Sequence, residues 1–190
     1  MKLSATNLLV SLAATAAAFN VPNRFANGVY EITLMENTEG KVGTIAQYEI
    51  SPYLNYTAKI DDTKLPFPKD IIDCAEYGGI LQDYHSPTDD VIAMEMLSNW
   101  CELYNPRKGA IVVAVWNQNI WYLCNWDVQH NMPMLAVQHC SRKEIYEANI
   151  LIDKACQRNR AGELHTKEWL KHYGRGVRKG SICLSMETWD

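Results

Sequence analysis

The first 73 residues contain no cysteine, and the chain carries no Cys-x-x-Cys pair, no Gly-x-Ser-x-Gly elbow and no His-Glu-x-x-His motif. These absences argue against a zinc ribbon, a serine hydrolase of the nucleophile-elbow type and a zincin-type metalloprotease. After residue 18 no apolar stretch is long enough for a membrane-spanning helix. Internal repeats and low-complexity tracts are also missing, which argues against a solenoid or a disordered array.

What is present begins with a leader. Lys2 supplies the positive start, Leu8, Leu9, Val10 and Leu12 with the alanines a short apolar core, and Ala16-Ala17-Ala18 the small residues of a cleavage site. Residues 1–18 therefore read as a signal peptide with cleavage before Phe19. About 170 residues remain, enough for a domain with a real core. All six cysteines, Cys74, Cys101, Cys124, Cys140, Cys156 and Cys183, lie beyond the leader. An even count in a secreted chain reads as three disulfides whose connectivity is open. Their wide spacing argues against zinc, so no metal and no cofactor is expected. Asn55-Tyr56-Thr57 is a glycosylation sequon.

Hydrophobic pattern places the elements. Residues 28–50 read as a β-hairpin around Asn37 and Gly40, and 51–73, with Pro52, Pro66 and Pro68, as a loop. Lacking cysteine, 19–73 reads as an N-terminal extension separable from a cysteine-bearing domain at 74–190. Gly78 to Leu81 reads as a short strand. Ser86-Pro87-Thr88-Asp89 opens a helix that ends near Tyr104, before Pro106. Ala110–Trp116 and Ile120–Trp126 form a hairpin of a mostly buried sheet. Ser141 and Glu144 make a capping box for a helix over 142–156, with Ile145, Ala148, Leu151, Ile152 and Ala155 at helical spacing. Cys140 and Cys156 stand at its two ends, positions from which both could be stapled. One or two strands follow between Glu163 and Leu184. The expected fold is α+β: a disulfide-stabilised split β-α-β sandwich, its antiparallel sheet carrying two helices on one face.

Several of these stretches resemble a known group. Asn99-Trp100-Cys101, Tyr122 to Trp126, Cys140-Ser141 with Glu144 to Ala148, Asp153 to Cys156, Trp169 with Lys171, Tyr173-Gly174-Arg175 and Ile182-Cys183 resemble small secreted proteins of filamentous fungi. That group is similar in plan to the killer toxins encoded by smut-fungus viruses and to related necrosis-inducing effectors. The resemblance covers roughly residues 74–183. The toxins are richer in cysteine, and residues 19–73 depart from them. It implies a split β-α-β sandwich and a role as toxin or effector, and assigns no active residue.

Charge adds a candidate surface. Residues 140–183 carry ten Lys/Arg against five Asp/Glu in an otherwise acidic chain. Lys171, Arg175, Arg178 and Lys179, set among Gly174, Gly176 and Gly180, read as an exposed loop facing an anionic partner. Trp116, Trp121, Tyr122 and Trp126 are a second candidate surface if exposed, and core if buried. Glu163, His165, His172 and Arg175 hold the residue types a secreted ribonuclease needs, acid, base and phosphate cation; solvated residues of an exposed strand are the plainer reading. Asp61-Asp62 and Asp89-Asp90 are paired acids, the second pair explained by a helix first turn. No catalytic residue is assigned. The sequence is read as a secreted, monomeric, non-enzymatic effector or killer-toxin-like protein that binds a host or competitor protein, channel or anionic surface. A ribonuclease-like or glycan-acting enzyme is the alternative.

Overall fold

The computed structural model describes residues 10–11, 19–37, 40–53, 70–74, 76–77, 80–81, 86–107, 109–125, 139–178 and 181–183. In chain order the main elements are β1 (Gly28–Asn37), β2 (Gly40–Tyr48), β3 (Asp70–Cys74), α1 (Pro87–Leu103), β4 (Ala110–Trp116), β5 (Asn119–Asn125), α2 (Arg142–Cys156), β6 (Gly162–Thr166) and β7 (Lys171–Val177). The strands form one antiparallel sheet in the order β2-β1-β4-β5-β7-β6-β3, and the two-residue strand Val10–Ser11 pairs along the outer edge of β2. The expected α+β plan, with both helices on one face, is the observed one.

Each helix starts where its cap lies. Ser86 Oγ accepts from the amide of Asp89 at 3.4 Å with Pro87 in the first turn, and Ser141 Oγ accepts from the amide of Glu144 at 3.2 Å. Each answers amides that have no partner within the helix.

Strand alternation sorts side chains onto two faces. Val29, Val112, Ala114, Trp121, Leu123, Leu164 and Tyr173 meet Leu97, Trp100, Ile145 and Ile152 of the helices. Tyr30, Ile32, Ile111, Val113, Val115, Ile120 and Tyr122 point the other way and are covered by Val21, Phe25, Ile182 and Cys183. With both faces covered, β4 and β5 are buried almost throughout, which is why their sequences read as continuous apolar runs rather than alternating ones. Trp121 is fully buried and Tyr122 nearly so; Trp116 is half-buried, and Trp126 lies outside the described residues.

The six cysteines pair as Cys74–Cys156, Cys101–Cys140 and Cys124–Cys183. The first ties the end of β3 to the end of α2, the second joins the end of α1 to the start of α2, and the third fixes the C-terminal segment to β5. So α2 is stapled at both ends.

Two expectations are corrected. Residues 70–74 are a strand rather than the end of a loop: Ile72 packs on the helix-side core and Cys74 is bridged to α2. A boundary at 73/74 therefore cuts through β3. The hairpin β1–β2 is likewise not a separable extension. From Gly28↔Val115 to Thr33↔Ala110, β1 pairs with β4, and Val29 and Tyr48 join the helix-side core.

Candidate functional site

Lys171, Arg175 and Arg178 are placed by strand β7 and the turn after it, not by an exposed loop. Lys171 is buried against the first turn of α2: its Nζ donates to Glu144 Oε2 at 3.2 Å and to the carbonyl of His139, and lies 5.6 Å from the centroid of the Trp169 ring. Tyr173 donates to the same carboxylate. Arg175, only 2% exposed, donates to Asn149 Oδ1 and Asp153 Oδ1 at 2.5 Å and to the Arg160 carbonyl at 2.8 Å. Arg178 donates to the carbonyls of Phe25 and Asn23, clamping the segment before β1. The predicted partner-facing cations are thus corrected for these three residues: their charges hold α1, α2 and the N-terminal segment to the sheet. Lys179 and Asn55 lie outside the described residues, as do Asp61 and Asp62.

Glycine does not loosen this stretch either. Gly174 lies opposite Tyr122, and a Cβ at Gly174 would fall 2.2 Å from Tyr122 Cζ and 2.3 Å from its Oη. The bare backbone is what lets the phenol lie across β7. Gly174→Ala should therefore destabilise the protein by about 1–3 kcal/mol, the usual cost of overpacking. Thermal unfolding of the single variants and of the double variant with Tyr122→Ala checks this: the two changes should couple, because the second removes the ring that the first strikes.

On the face away from the helices, three strands bring titratable side chains together. Glu163 and His165 are two apart on β6, so they share a face; register sets His165 opposite His172 on β7, and Glu163 opposite Asp73 on β3. His172 Nδ1 lies 3.2 Å from Glu163 Oε1. His165 Nε2 lies 3.3 Å from Asp73 Oδ2 and 3.8 Å from Glu163 Oε2, and the two imidazole rings are 4.1 Å apart. The Tyr122 hydroxyl donates to Glu163. Burial pushes the Glu163 carboxyl up to about 7, with the nearby Asp73 charge adding to the rise. Burial likewise holds His172 down to about 3 and lowers His165, with His172 adding to the latter. Near neutral pH the cluster thus contains uncharged imidazoles and a carboxyl that titrates there. It can hold and pass a proton, and it offers nitrogen and oxygen donors to a cation.

It does not assemble the ribonuclease set. Glu163, His165 and His172 come together, but Arg175 points to the opposite, helix-covered face, where its partners are Asp153, Asn149 and Asp90. Glu163, His165 and His172 are each no more than 6% exposed.

Sequence reasoning found three of these residues and missed the contributions of Asp73 and Tyr122, which arrive from distant segments. The available signal was period two: Glu163-x-His165 on one strand and His172-x-Gly174 on the next, with a short turn fixing their register. No protein-family model, curated protein or solved structure matches the chain.

Proposed function

We propose that this is a secreted effector or killer-toxin-like protein of the fungal kind it resembles, acting by binding a host or competitor target without catalysis. The observation that carries the reading is the separation of Arg175 from Glu163, His165 and His172 by the thickness of the sheet. Acid, base and phosphate-binding cation on opposite faces cannot act on one phosphodiester, since general acid–base catalysis needs its groups within hydrogen-bond reach of a common substrate. The pairing of all six cysteines adds support, because disulfides persist in oxidising, extracellular surroundings. Among the described residues no helix is long and apolar enough to cross a membrane.

The test pairs wild-type protein with Glu163→Gln. Incubated with total RNA and common polysaccharides, both should leave the substrates intact. Infiltrated into leaves or added to competing fungi, both should give the same response. Cleavage of RNA or glycan by the wild type that is lost in Glu163→Gln would replace this reading with the enzymatic one.

A further inference from the structure

We propose that the outer edge of β2 is a dimer interface: two copies of the chain join by antiparallel pairing of Val42–Tyr48 about a two-fold axis at Ile45, so that one sheet runs through both.

The edge itself is the first observation. Along one side β2 pairs with β1, from Val29↔Tyr48 to Asn37↔Gly40. Along the other side, among the described residues, only Val10 and Ser11 pair with it, opposite Gly43 and Val42. That short antiparallel pairing shows that the edge takes an extended segment. Both residues belong to the stretch read as a signal peptide, and the inference rests on its removal. Cleavage before Phe19 clears the edge from Val42 to Tyr48. Thr44 and Gln47 are exposed there, and Ile45 and Ala46 are half-buried.

The second observation is what the edge is made of. Natural sheets blunt their edges with charge, proline or shortness, because unpaired amides and carbonyls recruit another strand. The run Val42-Gly43-Thr44-Ile45-Ala46-Gln47-Tyr48 has neither charge nor proline, includes three β-branched residues and belongs to a strand of nine residues. At the opposite edge of the sheet, β3 has five residues and carries Asp70 and Asp73. One edge is protected, and the other is composed to pair.

The third observation names the occupant. Lys41 and Glu49 flank the uncharged run, one at each end. Centred on Ile45, two-fold pairing sets Val42 opposite Tyr48, Gly43 opposite Gln47, Thr44 opposite Ala46, and Lys41 of one protomer opposite the partner's Glu49. Symmetry makes that charge match twice, and moving the centre by one residue either way loses it. The two copies of Ile45 face each other at the axis, on the side where Ile45 already packs against the core away from the helices. A second copy therefore satisfies the backbone and both charges. Pairing β3 with β3 would bring aspartates together, so the assembly closes at two chains. This departs from the monomer expected from the sequence.

The test uses the full chain expressed in a secreting eukaryotic host. Intact mass checks the leader, and retention of residues 1–18 overturns the opening of the edge. Light scattering during size-exclusion chromatography should give twice the chain mass at about 100 μM, a concentration that populates a dimer with a micromolar dissociation constant. Backbone amides within Val42–Tyr48 should exchange with deuterium more slowly there than in dilute protein. Glu49→Lys, at an exposed position, sets like charges opposite each other at both ends of the pairing. It should weaken the dimer about tenfold, while the dilute protein melts within about 2 °C of wild type, since isolated surface charges contribute little to stability. Adding Lys41→Glu to that variant should restore the dimer. A monomer at about 100 μM, a dimer whose exchange over Val42–Tyr48 is no slower than in dilute protein, or a Glu49→Lys dimer as tight as the wild type overturns the interface.

Discussion

Replacing Arg175 with serine should lower the melting temperature by about 6–20 °C, the equivalent of about 3–5 kcal/mol for breaking a buried ion pair on one side only. Its guanidinium is the node at which four elements meet. Nε donates to the Arg160 carbonyl, one terminal nitrogen to Asn149 Oδ1, and the other to Asp153 Oδ1 and, at 3.4 Å, to the Gln157 carbonyl. Asp90 Oδ2 on α1 lies 3.8 Å away, and Asp90 in turn accepts from Trp121 Nε1 at 2.9 Å. The cation itself stands 6.0 Å from the Trp121 ring centroid. Serine leaves Asp90 buried without that cation, strands the acceptors at the end of α2, and opens a hole against a fully buried tryptophan. Lysine should recover only part of the loss, because a point charge cannot reproduce a fork that serves several acceptors at once. Circular dichroism melts of wild type, Arg175→Lys and Arg175→Ser check the order. A serine variant melting within 2 °C of wild type would return Arg175 to the solvent-facing role that its sequence context implied.

That implied role shows where the sequence was readable and where it was not. Local signals carried through. The two serine caps, Pro87 in the first turn and the β-branched run of β4 each act within a few residues, and each element lies where its own residues put it. The six cysteines announced three bridges because parity is a property of composition. The basic stretch misled because its meaning depends on partners far away in the chain. Lys171 needs Glu144, Arg175 needs Asp90 and Asp153, and Arg178 needs the carbonyls before β1. Nothing in the spacing of Lys171 and Arg175 distinguishes a buried pair from a solvated one. Gly174 misled for a related reason: a glycine is required either by backbone freedom or by the absence of a Cβ, and only the position of Tyr122 tells which. The Glu163, His165 and His172 group was visible as residue types but not as a site, since Asp73 belongs to a five-residue strand whose sequence offered little beyond Ile72 and Cys74.

A chain beginning at Ile71 should fail to unfold cooperatively, although it keeps all six cysteines and both helices. It loses β1 and β2 outright. With them go Val29, Tyr48 and Ile50 from the helix side of the core, and Val21, Phe25, Tyr30 and Ile32 from the other side. Aliphatic side chains such as Val29 and Ile32 each contribute about 1.5–3 kcal/mol when buried, and truncating a buried aromatic costs about 3–5 kcal/mol. The total exceeds the 5–15 kcal/mol that typically separates folded from unfolded domains. Polar partners vanish as well: Glu31, which accepts from the Arg107 amide at 3.0 Å and from Tyr48 at 2.9 Å, and the carbonyls that hold Arg178. What remains ends in β4 as a bare edge, an apolar strand whose unpaired amides and carbonyls invite another chain. The expected product is therefore aggregated, with no sharp thermal transition and with exposed apolar surface that binds hydrophobic dyes. A chain beginning at Phe19 keeps the hairpin and should melt as one unit. Size-exclusion chromatography and calorimetry of the two truncations side by side decide the matter. A monomeric 71–190 chain with a single sharp transition would show that the remaining five strands, two helices and three disulfides are sufficient, and that the first hairpin is dispensable despite its register with β4.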